Sequence, residues 1–256
     1  MKTIVSAIQK GGQGKSMLDT HLAFMAAELG KSVLAVDLDG QGNFSRNLSP
    51  EYDRDHSPSF GLFSGGVKTS HPVALPFSAK GSISMLTGDH RLVSVDETPA
   101  MEPGALRASL AHFRAIDLCV IDPPPTLGKR LRAALMAADF VVMPFVPARE
   151  SVDGLGDLMD TIEQVKNQHN PGLQVIGLLP NKVNSRSKAD QKIIADIRAV
   201  APGMLLPMQI NERTSISGAM AVSRPVWHVS GGESQRLAAA EIRAACSFIL
   251  KTVFKK

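Results

Sequence analysis

Short apolar runs alternate along this chain with longer segments in which apolar residues recur every three or four positions. The short runs predict buried strands at 3–8, 32–37, 83–86, 118–122, 140–144 and 173–179. The periodic segments predict a first helix through Leu22 and Leu29, followed by helices at 105–113, 129–137, 151–168, 189–200 and 233–253. Continuous apolar strands that alternate with helices are typical of a parallel sheet covered on both faces. The predicted fold is therefore a doubly wound, mostly parallel α/β sheet in a single domain, residues 1–256.

One segment departs from this alternation. Residues 49–82 are rich in serine, proline and glycine and show little periodicity. Such composition predicts irregular surface structure, with room for a short helix near 60–63.

A glycine-rich loop joins the first predicted strand to the first predicted helix, and it reads Gln9-Lys10-Gly11-Gly12-Gln13-Gly14-Lys15-Ser16. Because glycine has no Cβ, the backbone N–H groups of this loop can approach phosphate oxygens closely. The helix N-terminus adds partial positive charge. Lys15 can reach the β- and γ-phosphates, and the Ser16 hydroxyl can hold Mg²⁺. A strand, a glycine loop and a helix in this order predict a P-loop NTPase site, in preference to a glycine turn with incidental lysines.

The loop departs from the ordinary P-loop at its start. The usual pattern has glycine where Gln9 stands, and a second lysine, Lys10, follows. This extra cation indicates a subclass of P-loop proteins.

Carboxylates follow two further predicted strands. Asp37-Leu38-Asp39-Gly40-Gln41-Gly42-Asn43 comes after the second strand, and the apolar run 118–122 ends in Asp122 before a stiff turn at 123–128. A carboxylate at either place can orient water or contact the Mg²⁺ shell. One aspartate at a strand end often only caps the next helix, whereas these elements in sequence order favour a nucleotide site. Ligands of such sheets bind beyond the carboxyl ends of the strands, where Asn181 also falls.

Residues 10–16, 37–43 and 122–128 together resemble the motifs of the ParA/MinD family of deviant Walker A ATPases, whose D-x-D-P-Q-G-N and D-x-P-P-[ST]-L-G segments match the second and third. The similarity covers nearly the whole chain and best suits the ParA branch, which partitions plasmids and chromosomes. Two departures are visible. Gly40 replaces the usual proline, which predicts a looser loop, and Ser16-Met17 replaces paired threonines while keeping one hydroxyl.

The resemblance implies ATP or ADP as ligand, Mg²⁺ as cofactor, and roles for individual residues. Lys10 would reach the phosphates of the other subunit in a nucleotide-sandwich homodimer, Asp39 would assist water activation, and Asn181 would contact adenine. The implied catalytic residues are Lys10, Lys15 and Asp39. The implied nucleotide-binding residues are Gly11, Gly12, Gln13, Gly14, Lys15, Ser16, Met17 and Asn181. The implied magnesium-binding residues are Ser16, Asp37 and Asp122.

Charge and composition bear on partners. The formal net charge is +4, which permits nucleic-acid binding without requiring it. Basic residues cluster in the C-terminal third, at Arg186, Lys188, Lys192 and Arg213, and on the last helix, at Arg236, Arg243 and Lys251. By themselves they indicate solvated helix faces. The resemblance instead implies non-specific binding of double-stranded DNA, and the scarcity of aromatic residues favours contacts with the phosphate backbone.

The same resemblance implies a centromere-binding partner of the ParB type and a cytoplasmic, nucleoid-associated location. No segment has the composition of a signal peptide or the length of a membrane span, so no stable membrane association is expected. No helix-turn-helix extension precedes the glycine loop, and binding to a specific operator is therefore not expected.

Other branches of the family remain as alternatives. A membrane-positioning ATPase like MinD needs a basic amphipathic tail, and only Phe254-Lys255-Lys256 follow the last predicted helix. An iron–sulfur relative needs several ligating cysteines, whereas the chain has Cys119 and Cys246, both in apolar patterns. A tyrosine-kinase relative needs C-terminal tyrosines, and the one tyrosine is Tyr52.

Overall fold

A computed structural model of the chain describes residues 1–51, 57–63, 71–98, 102 and 104–255. The strands are β1 (Lys2–Ser6), β2 (Ser32–Asp37), β3 (Val73–Ala74), β4 (Ser82–Leu86), β5 (Leu118–Asp122), β6 (Phe140–Phe145) and β7 (Gln174–Pro180). The α-helices are α1 (Lys15–Glu28), α2 (Asn43–Leu48), α3 (Val93–Glu97), α4 (Ala105–Leu110), α5 (Lys129–Ala137), α6 (Arg149–Gln168), α7 (Lys188–Val200), α8 (Thr214–Ala221) and α9 (Glu233–Val253). Short 3₁₀ turns lie at Ser59–Leu62, His90–Leu92 and Val226–His228.

The strands form one sheet in the order β3-β4-β2-β5-β1-β6-β7. Every neighbouring pair is parallel except β3 and β4, which are antiparallel. The predicted doubly wound, mostly parallel sheet is therefore confirmed. In this order β5 lies between β1 and β2, and Asp37 at the end of β2 stands beside Asp122 at the end of β5. The topology thus brings the loops after β1, β2 and β5 to one edge of the sheet.

Apolar side chains fill both faces of the sheet. Successive strand residues point to opposite faces, so Ile4 contacts one core and Val5 contacts the other. The first core packs the sheet against α1 and α9, and the second packs it against α5 and α6. Both cores consist mainly of buried residues, and this close packing holds the strand ends in place at the edge that carries the loops.

Several short elements were not predicted from the sequence. Helices α2, α3 and α8 are short, and α8 contains serine and glycine, which weaken a helical pattern. The helix predicted at 105–113 ends at Leu110, and the chain then turns, with Ala115 at a φ of 63°. The helix expected near 60–63 is the 3₁₀ turn Ser59–Leu62. Parts of the predicted irregular segment, 52–56 and 64–70, lie outside the described residues, as do Tyr52 and Lys256.

Among the residues that the structure covers, no helix has both the length and the apolar character that a membrane crossing requires.

A buried histidine ties the helix after the glycine loop to the C-terminal region. His21 on α1 bonds the Met17 carbonyl through Nδ1 at 2.7 Å, and its Nε2 accepts from the Val226 N–H at 3.1 Å. Accepting at Nε2 requires the neutral ring with its proton on Nδ1. Burial lowers the pKa of His21 to about 4, and the contact with Met17 only partly offsets this effect.

We expect this histidine to make stability fall with acid. Because the folded pKa of about 4 lies below the ordinary value, the contribution is complete above about pH 6.5 and declines as the pH falls towards 4. The full loss is on the order of 3 kcal/mol. Urea unfolding between pH 7.5 and 4.5 measures it, with His21→Phe as the comparison that removes the titration. The difference in unfolding free energy between the two proteins should narrow with acid, and a pH-independent difference would contradict the assignment.

Candidate active site

A cavity of about 790 Å³ opens at the carboxyl edge of the sheet. The glycine loop forms one wall, and the segments after β2, β7 and Ile210 form the others. The lining includes many of the predicted nucleotide residues, namely Gly11, Gly12, Gly14, Lys15, Ser16, Met17 and Asn181. The structure therefore brings these predicted residues together in one space of a size suited to a small ligand.

The conformation of the glycine loop explains its glycines. Gly12 and Gly14 have φ values of 79° and 87°, in the left-handed region that glycine adopts without strain. A Cβ on Gly14 would lie 2.0 Å from Nδ2 of Asn181, so a side chain there would displace this contact. Asn181 Nδ2 donates to the Gln13 carbonyl at 2.6 Å, and Gln13 Nε2 donates to Ser151 Oγ at 3.2 Å. The loop is thus held from β7 and from α6.

Charged groups converge under this loop. The Lys15 ammonium forms an ion pair with Asp122, and Ser16 Oγ donates to the other Asp122 oxygen at 2.7 Å. Burial lowers the pKa of Lys15, but the nearby carboxylates of Asp122, Asp19 and Asp37 outweigh it, so the pKa lies above its ordinary value. Lys15 is therefore a cation, and its ion pair with Asp122 holds it beside the loop.

Ser16 and Asp122 fit a magnesium site. Both offer hard oxygen atoms, and their 2.7 Å contact places a hydroxyl and a carboxylate at one point beside the loop. Mg²⁺ in nucleotide sites is held by one or two such protein groups together with phosphates and water. When bound, it neutralises charge on the phosphates. The protein's part is to hold these two oxygens in place through α1 and β5.

Asp37 has a different environment from the one predicted. Its Oδ1 accepts from the Asp39 N–H at 3.0 Å, and its Oδ2 accepts from Ser45 N and Oγ at 2.9 and 2.8 Å. Burial and the charge of Asp122 raise the pKa of Asp37 to about 7. Protein donors engage both oxygens of Asp37 and both oxygens of Asp122, so the identity of the partners distinguishes the two residues. Asp37 binds groups of the segment after β2, which favours it as the anchor of that loop, whereas Asp122 binds Lys15 and Ser16 beside the glycine loop, which favours it as the metal ligand.

Asp39 lines the cavity and is half-buried. Its Oδ1 accepts from the Gln41 N–H at 3.0 Å, its carbonyl accepts from the Gly42 N–H at 3.0 Å, and Arg46 donates to the Gln41 carbonyl at 3.1 Å. These bonds connect the residues around Gly40, and the looser loop expected from this glycine stays a prediction. Arg130, paired with Asp96, adds a further bond from its Nη1 to the Leu38 carbonyl at 3.0 Å.

Lys10 and Lys15 are placed differently, although both belong to the loop. Lys10 is exposed, and among the described residues none forms a hydrogen bond or ion pair with it. Asn181 is 1% exposed, and its buried Oδ1 has no partner within the described part of the chain. This oxygen is a free acceptor in a residue that lines the cavity, which suits a ligand that carries an N–H group.

Three residues of this region were not identified as site residues from the sequence. Asp19 is buried on α1 and accepts from Ser6 Oγ, and burial together with the Asp122 charge raises its pKa well above the ordinary range. Its signal was an acidic residue inside an apolar helical pattern. Lys182 follows Asn181 and lines the cavity. Glu241 on α9 could not have been identified, because its partners lie far from it in sequence.

Six of the seven predicted DNA-binding residues are exposed, as the prediction requires: Arg186, Lys188, Lys192, Arg236, Arg243 and Lys251. Arg213 differs from that prediction. Its side chain is 19% exposed and pairs with Glu241 at 2.8 Å, and Glu241 also accepts from Asn211 N and Nδ2. Hydrogen bonding to Glu241 raises the pKa of Arg213. Arg213 is therefore a neutralised group in the cavity wall rather than a free surface cation.

Comparisons with known proteins agree with this geometry. The AAA domain family matches residues 1–175. Protein IncC of Escherichia coli is 34% identical over 253 residues, covering 97% of this chain and 69% of the relative. The chromosome-partitioning ATPase Soj of Thermus thermophilus is 33% identical over 205 residues, 78% of this chain and 76% of Soj.

Solved structures show the same fold. Cobyrinic acid a,c-diamide synthase from Mycobacterium smegmatis, with bound ADP and magnesium, has a TM-score of 0.80 at 25% identity, covering 98% of this chain and 94% of that one. Apo McdA of Cyanothece has a TM-score of 0.82 at 23% identity over 96% and 99% of the two chains, which shows the fold alone. Together with the P-loop cavity described above, the family match and the similarity to the ATPase Soj identify this chain as an ATPase, and the synthase is a neighbour that holds ADP and magnesium. The chain therefore belongs to the ParA/MinD-type partitioning ATPases within the AAA domain family.

Proposed function

We propose that this chain partitions a plasmid or a chromosome by an ATP-dependent cycle. ATP drives a sandwich homodimer, the dimer binds double-stranded DNA without sequence preference on the nucleoid, and a centromere-binding ParB-type partner stimulates hydrolysis. The observation that carries the proposal is that the two lysines of the glycine loop have different environments. Lys15 is buried and paired with Asp122 in its own subunit, whereas Lys10 is exposed at the mouth of the same loop.

The exposure of Lys10 supports a dimer for a physical reason. An unpaired ammonium beside a phosphate site adds stabilisation when it contacts the transferring phosphoryl group, and a residue supplied by a second molecule can do so. Lys15 already serves the phosphates of its own subunit. Lys10 can therefore act on a second nucleotide if two cavities face each other.

The exposed cations on α7 and α9 support the DNA step. Lys188 and Lys192 lie on α7, Arg186 precedes it, and Arg236, Arg243 and Lys251 lie on α9. One subunit offers few contacts with DNA phosphates, and a dimer doubles their number. Because ATP drives the dimer in this proposal, stable DNA binding should need ATP. Contacts of this type are with the DNA backbone and do not distinguish sequences.

A salt titration on random-sequence duplex tests the proposal. ATP-loaded protein should bind, ADP-loaded protein should not, and log affinity should fall with log salt by about 0.9 per phosphate contacted. Arg186→Ala/Lys188→Ala should weaken binding to all sequences alike and flatten the slope. These residues suit the test better than Arg213, whose loss would leave the partly buried Glu241 without its cation.

The matched control removes two lysines from the opposite edge of the sheet. Lys2→Ala/Lys80→Ala takes away the same charge near the amino ends of β1 and β4 and should leave DNA binding unchanged. ATP-independent binding would contradict the proposed cycle. Binding to anionic liposomes without binding to DNA would instead support a membrane-positioning ATPase.

A further inference from the structure

We propose that Lys182 is a positioning residue that holds the phosphate loop in its binding conformation through the Gly12 carbonyl. Lys182 lies two residues after the end of β7 and lines the cavity beside the loop. Its Nζ donates to the Gly12 carbonyl at 2.6 Å, across a large separation in sequence. Neither the motif nor the predicted catalytic set includes this lysine.

Two consecutive side chains hold two consecutive carbonyls. Lys182 binds the carbonyl of Gly12, and Asn181 binds that of Gln13 at 2.6 Å. In a trans peptide the carbonyl and the next N–H lie in one plane and point in opposite directions. Fixing these two carbonyls towards the end of β7 therefore fixes the N–H groups of Gln13 and Gly14 in the opposite direction. Those N–H groups are donors that a phosphate loop uses.

The backbone of Lys182 indicates that the contact matters. Its φ is 50°, in the left-handed region, which is costly for a residue with a side chain and free of strain for glycine. Such a conformation persists where surrounding interactions compensate for it. The contact with Gly12 is the compensating interaction that the structure shows for this side chain.

The charge of Lys182 adds a second effect. The ammonium is bonded to a neutral carbonyl, so its positive charge is not cancelled, whereas the charge of Lys15 is matched by Asp122. A cation in the cavity wall attracts the polyphosphate of ATP, and the attraction grows with phosphate charge. Lys182 therefore acts on nucleotide binding in two ways, through the loop geometry and through the local potential.

The test measures mant-ATP binding by fluorescence, together with thermal unfolding. Lys182→Met removes the donor and the charge and should weaken mant-ATP binding by about tenfold, because a hydrogen bond from a charged group is lost. Lys182→Arg keeps both features and should recover most of the affinity. Lys182→Gly relieves the backbone strain, so it should unfold at the same or a higher temperature and still bind mant-ATP as weakly as Lys182→Met.

The control is Lys80→Met, which removes an exposed lysine at the opposite edge of the sheet and should bind as the unmodified chain does. Affinity that is unchanged in Lys182→Met, or retained in Lys182→Gly, would show a turn residue without a role in the loop. The inference rests on ATP binding at this loop, which Lys15→Ala tests separately. It does not depend on DNA binding, so a failure of the DNA-binding step leaves the role of Lys182 standing, and a failure of the Lys182 test leaves the proposed cycle standing.

Discussion

Replacing Lys10 with alanine should abolish ATP-dependent dimerisation and reduce hydrolysis by about 10³-fold or more, yet leave ATP binding by the single subunit nearly intact. The magnitude follows from the effect of a cation supplied in trans to a transferring phosphoryl group. Binding survives because Lys15, Ser16 and the loop N–H groups all belong to the subunit that holds the nucleotide. Light scattering with ATP and Mg²⁺ measures the dimer, and phosphate release measures turnover.

Lys15→Ala is the informative comparison. It should lose ATP binding itself, because it removes the ammonium beside the phosphates and leaves the buried Asp122 without its cation. The two variants therefore separate ATP binding, which needs Lys15, from dimerisation, which needs Lys10. Normal dimerisation of Lys10→Ala would overturn the interpretation of the loop as a deviant Walker A motif.

Much of the fold could be predicted because its signals are local. Apolar runs marked the parallel strands of the sheet, and α5 and α9 begin and end where the periodicity predicted. Helices α2 and α8 were missed because they are short and α8 contains residues with low helix propensity. Such helices depend on tertiary packing more than on sequence pattern.

The phosphate loop was predictable for the same reason, since its glycines, lysine and hydroxyl lie within one short segment. The partners of these residues could not be predicted from the sequence. Lys15 pairs with Asp122, and Arg213 pairs with Glu241, through contacts that join distant parts of the chain. Arg213 shows the consequence. Its place in a loop indicated a surface cation, but only the folded structure reveals that the carboxylate of Glu241 neutralises Arg213.

Asp37 and Asp39 illustrate the same limit within one motif. Both were assigned to the metal and water chemistry from their place after a strand. The structure separates them, because Asp37 is fully buried and accepts from Ser45, whereas Asp39 faces the cavity. Strand-end position identified the pair, and the contacts of each side chain distinguish Asp37, which anchors the loop through Ser45, from Asp39, which lines the cavity.

Asp39→Ala should therefore bind ATP with unchanged affinity and hydrolyse it about a hundredfold or more slowly. Because hydrolysis is slow, the ATP-bound dimer should accumulate. A positioned group that orients or activates water contributes about 10²–10⁴-fold to a rate, and its charge is needed in the transition state rather than in the bound ground state. Phosphate release, equilibrium mant-ATP binding and light scattering measure the three quantities. A loss of affinity as large as the loss of turnover would instead make Asp39 a magnesium ligand or a structural residue.

Asp39→Asn shows whether turnover depends on the negative charge of Asp39 or on the hydrogen bond by which Asp39 holds the loop. Asparagine keeps the oxygen that accepts from the Gln41 N–H at 3.0 Å, so the loop conformation should survive, but it lacks the negative charge. If Asp39 acts on water, Asp39→Asn should be as slow as Asp39→Ala and should also accumulate as the dimer. Asp160→Ala, an exposed acidic residue on α6, should hydrolyse ATP at the normal rate. Recovery of turnover in Asp39→Asn would assign Asp39 to holding the loop, and the water-activating role would then belong to another group in the cavity.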